Sequence, residues 1–192
     1  MRPVEIRTSD SFTMSTFVRL IVLLCVLTGC VHRIHVSPLP TPSASTTIPR
    51  ALQLAVGPPA LEGADHMPGI TLLDWPQRDL RQAVFRYIEQ RGTFESVSAD
   101  EGELSLRIAT KLALASRQNR YRYRIRLQAD MNEGEGLIKS YRVEHEAVGS
   151  SVRWVTASDR EPIETALQAA LDDLLSRIES DRPLFLRQER PE

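Results

Sequence analysis

The sequence predicts an α+β domain in which two helices pack on one face of a mainly antiparallel sheet of about four to five strands. Three observations carry this expectation. Between Leu104 and Val148, three consecutive segments alternate apolar and polar residues, the pattern of strands with one face in a core and the other in water. Leu80, Val84 and Ile88 recur at helical spacing, as do Ile163, Ala166, Leu167, Ala170, Leu171, Leu174 and Ile178. The turn-forming stretches between these segments are short, which favours neighbours that fold back on one another.

Taken in order, Leu52, Leu54 and Val56 alternate with Gln53 and Ala55 until Gly57-Pro58-Pro59, and the run reads as a strand. Residues 60–75 contain Gly63, Pro68 and Gly69 and read as a loop with one extended piece at 70–73. Asp74 is the expected cap of a helix running to about Arg91, with Pro76 in its first turn and Gly92 at its end. A short strand over 93–98 follows. Leu104, Leu106, Ile108, Leu112 and Leu114 then share one parity, and Tyr121, Tyr123, Ile125, Leu127, Ala129 and Met131 share the next. Residues 116–120 and 132–136 supply the turns of a meander, and Tyr141 and Val143 face inward on its third strand. Ser158 and Glu161 have capping-box spacing, with Pro162 expected in the first turn of a last helix through about Ser180. Pro183 ends it, and residues 183–192 read as a flexible tail.

The amino terminus has a different character. Phe17 to Val26 is an apolar run broken only by the single positive charge Arg19, with no acidic residue from Met14 to its end, and it ends in Leu27-Thr28-Gly29-Cys30. This is the layout of a lipoprotein signal, residues 1–29, too short to remain as a spanning helix of about 20 apolar residues. The thiol of Cys30 is the expected site of lipid attachment. Met14 alone would open a compact signal, so Met1 and Met14 both remain as starts. Residues 30–50 hold four prolines among serines and threonines and read as a solvated tether. The single folded domain is expected over 51–182. Because Cys25 lies in the segment that would be removed, Cys30 is the one cysteine of the mature chain, and packing alone must hold it together.

Charge is nearly balanced, 24 Lys and Arg against 25 Asp and Glu, which gives no reason to expect nucleic acid binding. His32, His35, His66 and His145 lack metal-binding spacing, and no nucleophile elbow, phosphate loop or dinucleotide fingerprint occurs. The expectation is therefore a protein that is not an enzyme and carries no cofactor or metal. Asp172 and Asp173 are adjacent and diverge around the last helix, as on a solvated face. Arg122, Arg124 and Arg126, extended by Arg107, Lys111 and Arg142, project from the wet face of the sheet. They form a candidate surface for a protein partner, anionic lipid or lipopolysaccharide; the competing reading is ordinary surface charge balanced by Glu144 and Glu146.

Leu52-Gln53-Leu54-Ala55-Val56-Gly57-Pro58, followed by a proline-containing loop, an amphipathic helix and a closing helix rich in Ala and Leu from Ala166 to Leu175, resembles the ABC-type transport auxiliary lipoproteins. The same element order is shared by the lipopolysaccharide-assembly lipoprotein and by the curli-secretion-like and Tol-Pal amino-terminal domains. Val31 rather than Asp after the cysteine resembles lipoproteins sorted to the outer membrane of Gram-negative bacteria. The resemblance implies a lipid-anchored periplasmic accessory or assembly subunit of an envelope transport or secretion system, joined to the membrane by its lipid and to an envelope protein complex. The alternative is a carrier for lipid or glycolipid. A filled core with a flat polar face would favour the first, and an apolar pocket with an open mouth the second.

Overall fold

The computed structural model describes residues 30–40, 47–63, 71–117, 120–150 and 157–186; the signal expected over 1–29 lies outside them. The chain runs β1 (Cys30–Arg33), β2 (Ile48–Val56), β3 (Ala60–Glu62), β4 (Thr71–Asp74), α1 (Gln77–Arg91), β5 (Phe94–Ser98), β6 (Leu104–Arg117), β7 (Arg120–Glu133), β8 (Gly136–Ser150) and α2 (Ala157–Ser180). One 3-10 turn, Arg182–Leu184, follows.

The principal sheet has the order β5-β2-β6-β7-β8, with β3 continuing alongside β6. It is mixed rather than mainly antiparallel. The meander β6-β7-β8 is antiparallel, but β2 runs parallel to both its neighbours, β5 and β6. The reason lies in the connection: α1 carries the chain back to the start of β2, so β5 must run in the same direction. The link from β5 to β6 then crosses β2 on the face that bears Gln53, whose Nε2 donates to the Asp100 carbonyl at 2.8 Å. A Cβ on Gly102 would stand 2.2 Å from the backbone nitrogen of Gln53. Only glycine fits where one strand's backbone passes over another.

The predicted parities hold. Leu104, Leu106, Ile108, Leu112 and Leu114 on β6 and the six alternate residues from Tyr121 to Met131 on β7 are buried, while Arg122, Arg124 and Arg126 are exposed. Both helices cover the buried face, α1 against β2 and β5 and α2 against β7 and β8. The stripe from Ile163 to Ile178 sinks completely into the core. Gly134, at φ +58°, turns β7 into β8, and Ile138 is the extra residue of a bulge in β8.

Helix ends differ from the expectation at the amino-terminal side. Asp74 does not cap α1; it closes β4, and Pro76 occupies the cap position without a side-chain hydrogen bond. Gly92 ends α1 in the left-handed conformation at φ +71°, as expected. Residue Ala157 already belongs to α2, so Ser158 is inside the helix and Pro162 lies beyond the first turn.

The stretch read as a tether is packed along most of its described length. Strand β1 pairs in parallel with β4, and Ile34, Val36 and Pro38 are buried while Arg33, His35, Ser37 and Leu39 face out. This strap runs over the helices. The Ile34 amide donates to the Asp74 carbonyl at 2.9 Å, His35 Nδ1 lies 2.8 Å from Asp79 on α1, and the Ser37 amide donates to Glu164 on α2 at 3.0 Å. Strand β2 starts at Ile48, within the same stretch, and Ile48 is fully buried.

Candidate functional site

Cys30 is the first residue of β1, in register with Thr71 of β4. Strand β4 leads through Trp75 and Pro76 into α1, and β1 leads into the strap. The lipid-attachment residue expected from the sequence is therefore joined to the helical side of the domain through an ordered strand, with no long spacer between Cys30 and the fold.

The candidate arginines lie where the alternation placed them. In the paired rows of β7 and β8, Arg122 donates to Glu146 at 3.1 Å, Arg124 to Glu146 at 3.0 Å, and Arg126 to Glu144 at 2.8 Å through Nε. The hydrogen bond from Arg126 holds the Glu144 carboxyl below its ordinary range, against a small opposing effect of burial. This is a checkerboard of opposite charge across two strands, the cross-strand pairing that ordinary surface charges adopt. Arg107, in register with Asp130, and Arg142, opposite Gln128, stand apart from the ladder toward the Gly134 turn. Lys111 pairs with Glu62 on β3. Beside the ladder, Ala109, Ala113 and Ala115 of β6 leave the outer face low and flat.

Two buried arginines were not distinguished by sequence pattern. Arg91, 7% exposed at the end of α1, donates to Asp172 at 2.5 Å, to Glu179 at 3.0 Å and to Ser176 at 3.1 Å on α2. Tyr87 and Thr93 complete the cluster with bonds of 2.6 Å to Asp172 and 2.8 Å to Glu179. Burial works against the Arg91 charge, but these acidic partners more than offset it and raise its pKa. Arg50 on β2 reaches Glu103 at 2.9 Å, Glu133 at 2.6 Å and the Phe185 carbonyl at 3.4 Å, fastening three distant parts of the chain. Both clusters are saturated by protein groups and fix the helices and the carboxy-terminal turn to the sheet. Asp172 thus turns partly inward to Tyr87 and Arg91, away from the solvated face expected of it, whereas Asp173 keeps to that face, pairing with the half-exposed Arg177 and with His145. His145 is the strand histidine and has a structural partner at 3.2 Å. The only signal for Arg91 in the sequence was its place in the last turn, one residue before a helix-ending glycine.

Between sheet and helices the space is filled: Leu106, Leu112, Ile125, Leu127, Leu167 and Leu174 are inaccessible to solvent. Two surface hollows lie among the described residues. One of about 290 Å³ lies between the strap and α1, bordered by His35, Leu39, Gln82 and Arg86. The other, about 420 Å³, is bordered by Lys139, Tyr141, Arg177 and Asp181. Lys139 donates to Asp181 at 2.6 Å and Tyr141 to the same carboxylate at 3.0 Å. Burial and this hydrogen bond push the Tyr141 phenol above its ordinary pKa. Among the described residues, no group of three or more His, Cys, Asp or Glu is placed to hold a metal ion, and no helix is long and apolar enough to cross a membrane.

No protein-family model matches the chain, and no curated protein is similar to it in sequence. Among solved structures, that of a Xanthomonas campestris protein of the DUF330 family is similar with a TM-score of 0.54 and 18% identity, covering 80% of this chain and 98% of that one. A hypothetical protein from Chlamydia trachomatis has a TM-score of 0.49 at 9% identity, covering 69% and 98% of the two chains. A putative lipoprotein from Caulobacter crescentus has a TM-score of 0.41 at 12% identity, covering 73% and 93%. At such identities the Xanthomonas protein shares the fold, and the two lower scores add nothing to that.

Proposed function

We propose that this chain is a lipid-anchored periplasmic lipoprotein of the outer membrane that serves as an accessory or assembly subunit of an envelope transport or secretion system. The observation that carries the reading is the pairing of a lipobox, Leu27-Thr28-Gly29-Cys30, with a domain whose helices cover one face of the sheet and whose other face exposes paired rows of Arg and Glu. A carrier would need an apolar hollow of several hundred Å³ to hold an acyl chain. Of the two hollows described above, the one beside the strap mixes Val36, Pro38, Leu39 and Ala83 with His35, Asp79 and Arg86, and the other is bordered by Lys139, Arg142, Arg177 and Asp181, so neither is the purely apolar chamber an acyl chain needs. An interaction module needs a surface instead, and the Arg and Glu rows of β7 and β8 beside the alanines of β6 provide one.

The experiment has two arms. Cys30→Ser should abolish incorporation of labelled palmitate and release the protein from the membrane fraction; a variant that still took up label would refute the anchor. Crosslinking and pull-down from native membranes should then recover a transporter or secretion complex. Recovery of lipid alone would sink the accessory-subunit reading.

A further inference from the structure

Two opposite sides of the domain carry arginines, and only one of them can rest on the membrane. On the sheet side, Arg122, Arg124 and Arg126 are engaged by Glu144 and Glu146. On the helical side, Arg78, Arg81 and Arg86 of α1 are exposed. At 100° per residue Arg81 and Arg86 bound an outward arc that holds Phe85, Arg78, Glu89 and Gln82 between them. The strap lies beside this arc and adds Arg33, paired with Asp74 at 3.6 Å, and Leu39, which is 71% exposed. The hollow between strap and helix, bordered by His35, Leu39, Gln82 and Arg86, opens onto the same patch. Basic side chains around an exposed leucine are the composition of a surface that lies in the headgroup layer of a membrane. The anchor lies on this side. Arg33 is three residues from Cys30 along an extended strand, roughly 10 Å at about 3.3 Å per residue, and β1 is held against β4, which enters α1 directly.

We propose that the helical side is the membrane-facing side: the outer arc of α1 and the adjoining strap rest on an anionic phospholipid surface, with Arg78, Arg81 and Arg86 against headgroup phosphates and Leu39 entering the interface. The occupant is a phospholipid surface and not a protein because the chain's own lipid would bring the strap, whose Arg33 is within about 10 Å of the attachment point, and the helix beside it to the headgroups. Asp79 lies at the edge of this arc within 2.8 Å of His35 and Glu89 lies within it, so the three arginines outnumber two carboxylates on this face. The consequence is that the sheet face points away from the bilayer into the periplasm, free to meet a partner. The proposal rests on the lipid-anchor reading given above.

The mature chain has one cysteine, Cys30, which lipid would block, so a cysteine introduced elsewhere can be labelled alone. The lipid-bearing protein is reconstituted into vesicles containing phosphatidylglycerol and a headgroup-attached nitroxide lipid, with a fluorophore at Gln82→Cys on α1 or at Gln128→Cys on the sheet face. Quenching should be several-fold stronger at Gln82→Cys than at Gln128→Cys. Replacing Arg78, Arg81 and Arg86 with Gln should weaken it in phosphatidylglycerol vesicles, as should raising salt until the screening length falls to about 3 Å. Equal quenching on the two sides, stronger quenching at Gln128→Cys, or none at either side would overturn the orientation while leaving the anchor intact. Failure of the starting protein to incorporate labelled palmitate would overturn the anchor and this orientation together.

Discussion

Replacing Arg91 with leucine isolates the energetic role of the polar cluster between the helices. The guanidinium is 7% exposed and holds Asp172, Glu179 and Ser176. Its removal leaves two carboxylates without their cation. Asp172 keeps Tyr87 and is a quarter exposed, so water can hydrate it, but Glu179 is only 10% exposed and has no such relief. Breaking a buried pair from one side costs about 3–5 kcal/mol, a large part of the roughly 5–15 kcal/mol of a typical domain. With a urea dependence of about 2 kcal/mol per molar, the unfolding midpoint should fall by roughly 1.5–2.5 M. Chemical denaturation of the mature Cys30→Ser chain, followed by circular dichroism, reads this directly. The double variant Arg91→Leu with Glu179→Gln removes the stranded charge while keeping an acceptor for Thr93, and should recover at least half of the loss. A single-variant shift below about 0.5 M, or a double variant no better than the single, would refute the reasoning, because the cost would then not come from an uncompensated buried charge.

Three further outcomes are expected. Gly102→Ala should lower stability by about 1–3 kcal/mol, the range of forced overpacking, since the new Cβ meets the β2 backbone; an unchanged melting temperature would mean that the crossing is looser than described. Val36→Asp should free the strap without unfolding the sheet, removing about 1.5–3 kcal/mol for each of its buried aliphatic side chains, Ile34 and Val36, and proteolysis should then cut within residues 34–40 under conditions that leave the parent intact. The hydrogen bond from Lys139 holds the Asp181 carboxyl below its ordinary range, against a smaller effect of burial. A depressed folded pKa stabilises above the unfolded value, near 4, and that stabilisation is lost as pH falls through the folded value. Asp181→Asn should therefore make stability less dependent on pH at the acid end and lower it at pH 7, and identical acid limbs in the two proteins would contradict the assignment.

What could be read from the sequence was what repeats locally. Alternation over Tyr121 to Met131 located a buried face because every second residue had to be apolar, and the stripe from Ile163 to Ile178 located α2 by the same logic at a different period. The direction of β2 relative to β5 and β6 left no such trace, since strand pairing across 40 or more residues does not alter periodicity. Arg50 and Arg91 looked like surface residues because their partners, Glu103, Glu133, Asp172 and Glu179, are distant in sequence. The strap was legible in hindsight: Ile34, Val36 and Pro38 alternate with exposed residues, but the prolines and serines around them gave the stretch the composition of a spacer. The positions of the arginine ladder followed from parity. The exposed arginines of α1 drew no attention because basic residues on the outer arc of a helix are the ordinary case.

The place of β2 between two later strands has a consequence for the order of assembly. Both neighbours of this strand, β5 and β6, come later in the chain, and the link between them passes over it. A polypeptide that emerges amino-terminus first, from a ribosome or through a membrane pore, presents Ile48–Val56 about 50 residues before β6 exists to receive it. The meander β6-β7-β8 can form early from contacts close in sequence, whereas β2 must wait for it. The segment synthesised first is thus among the last to find its place, and until then its apolar alternation is open to any other strand edge it meets.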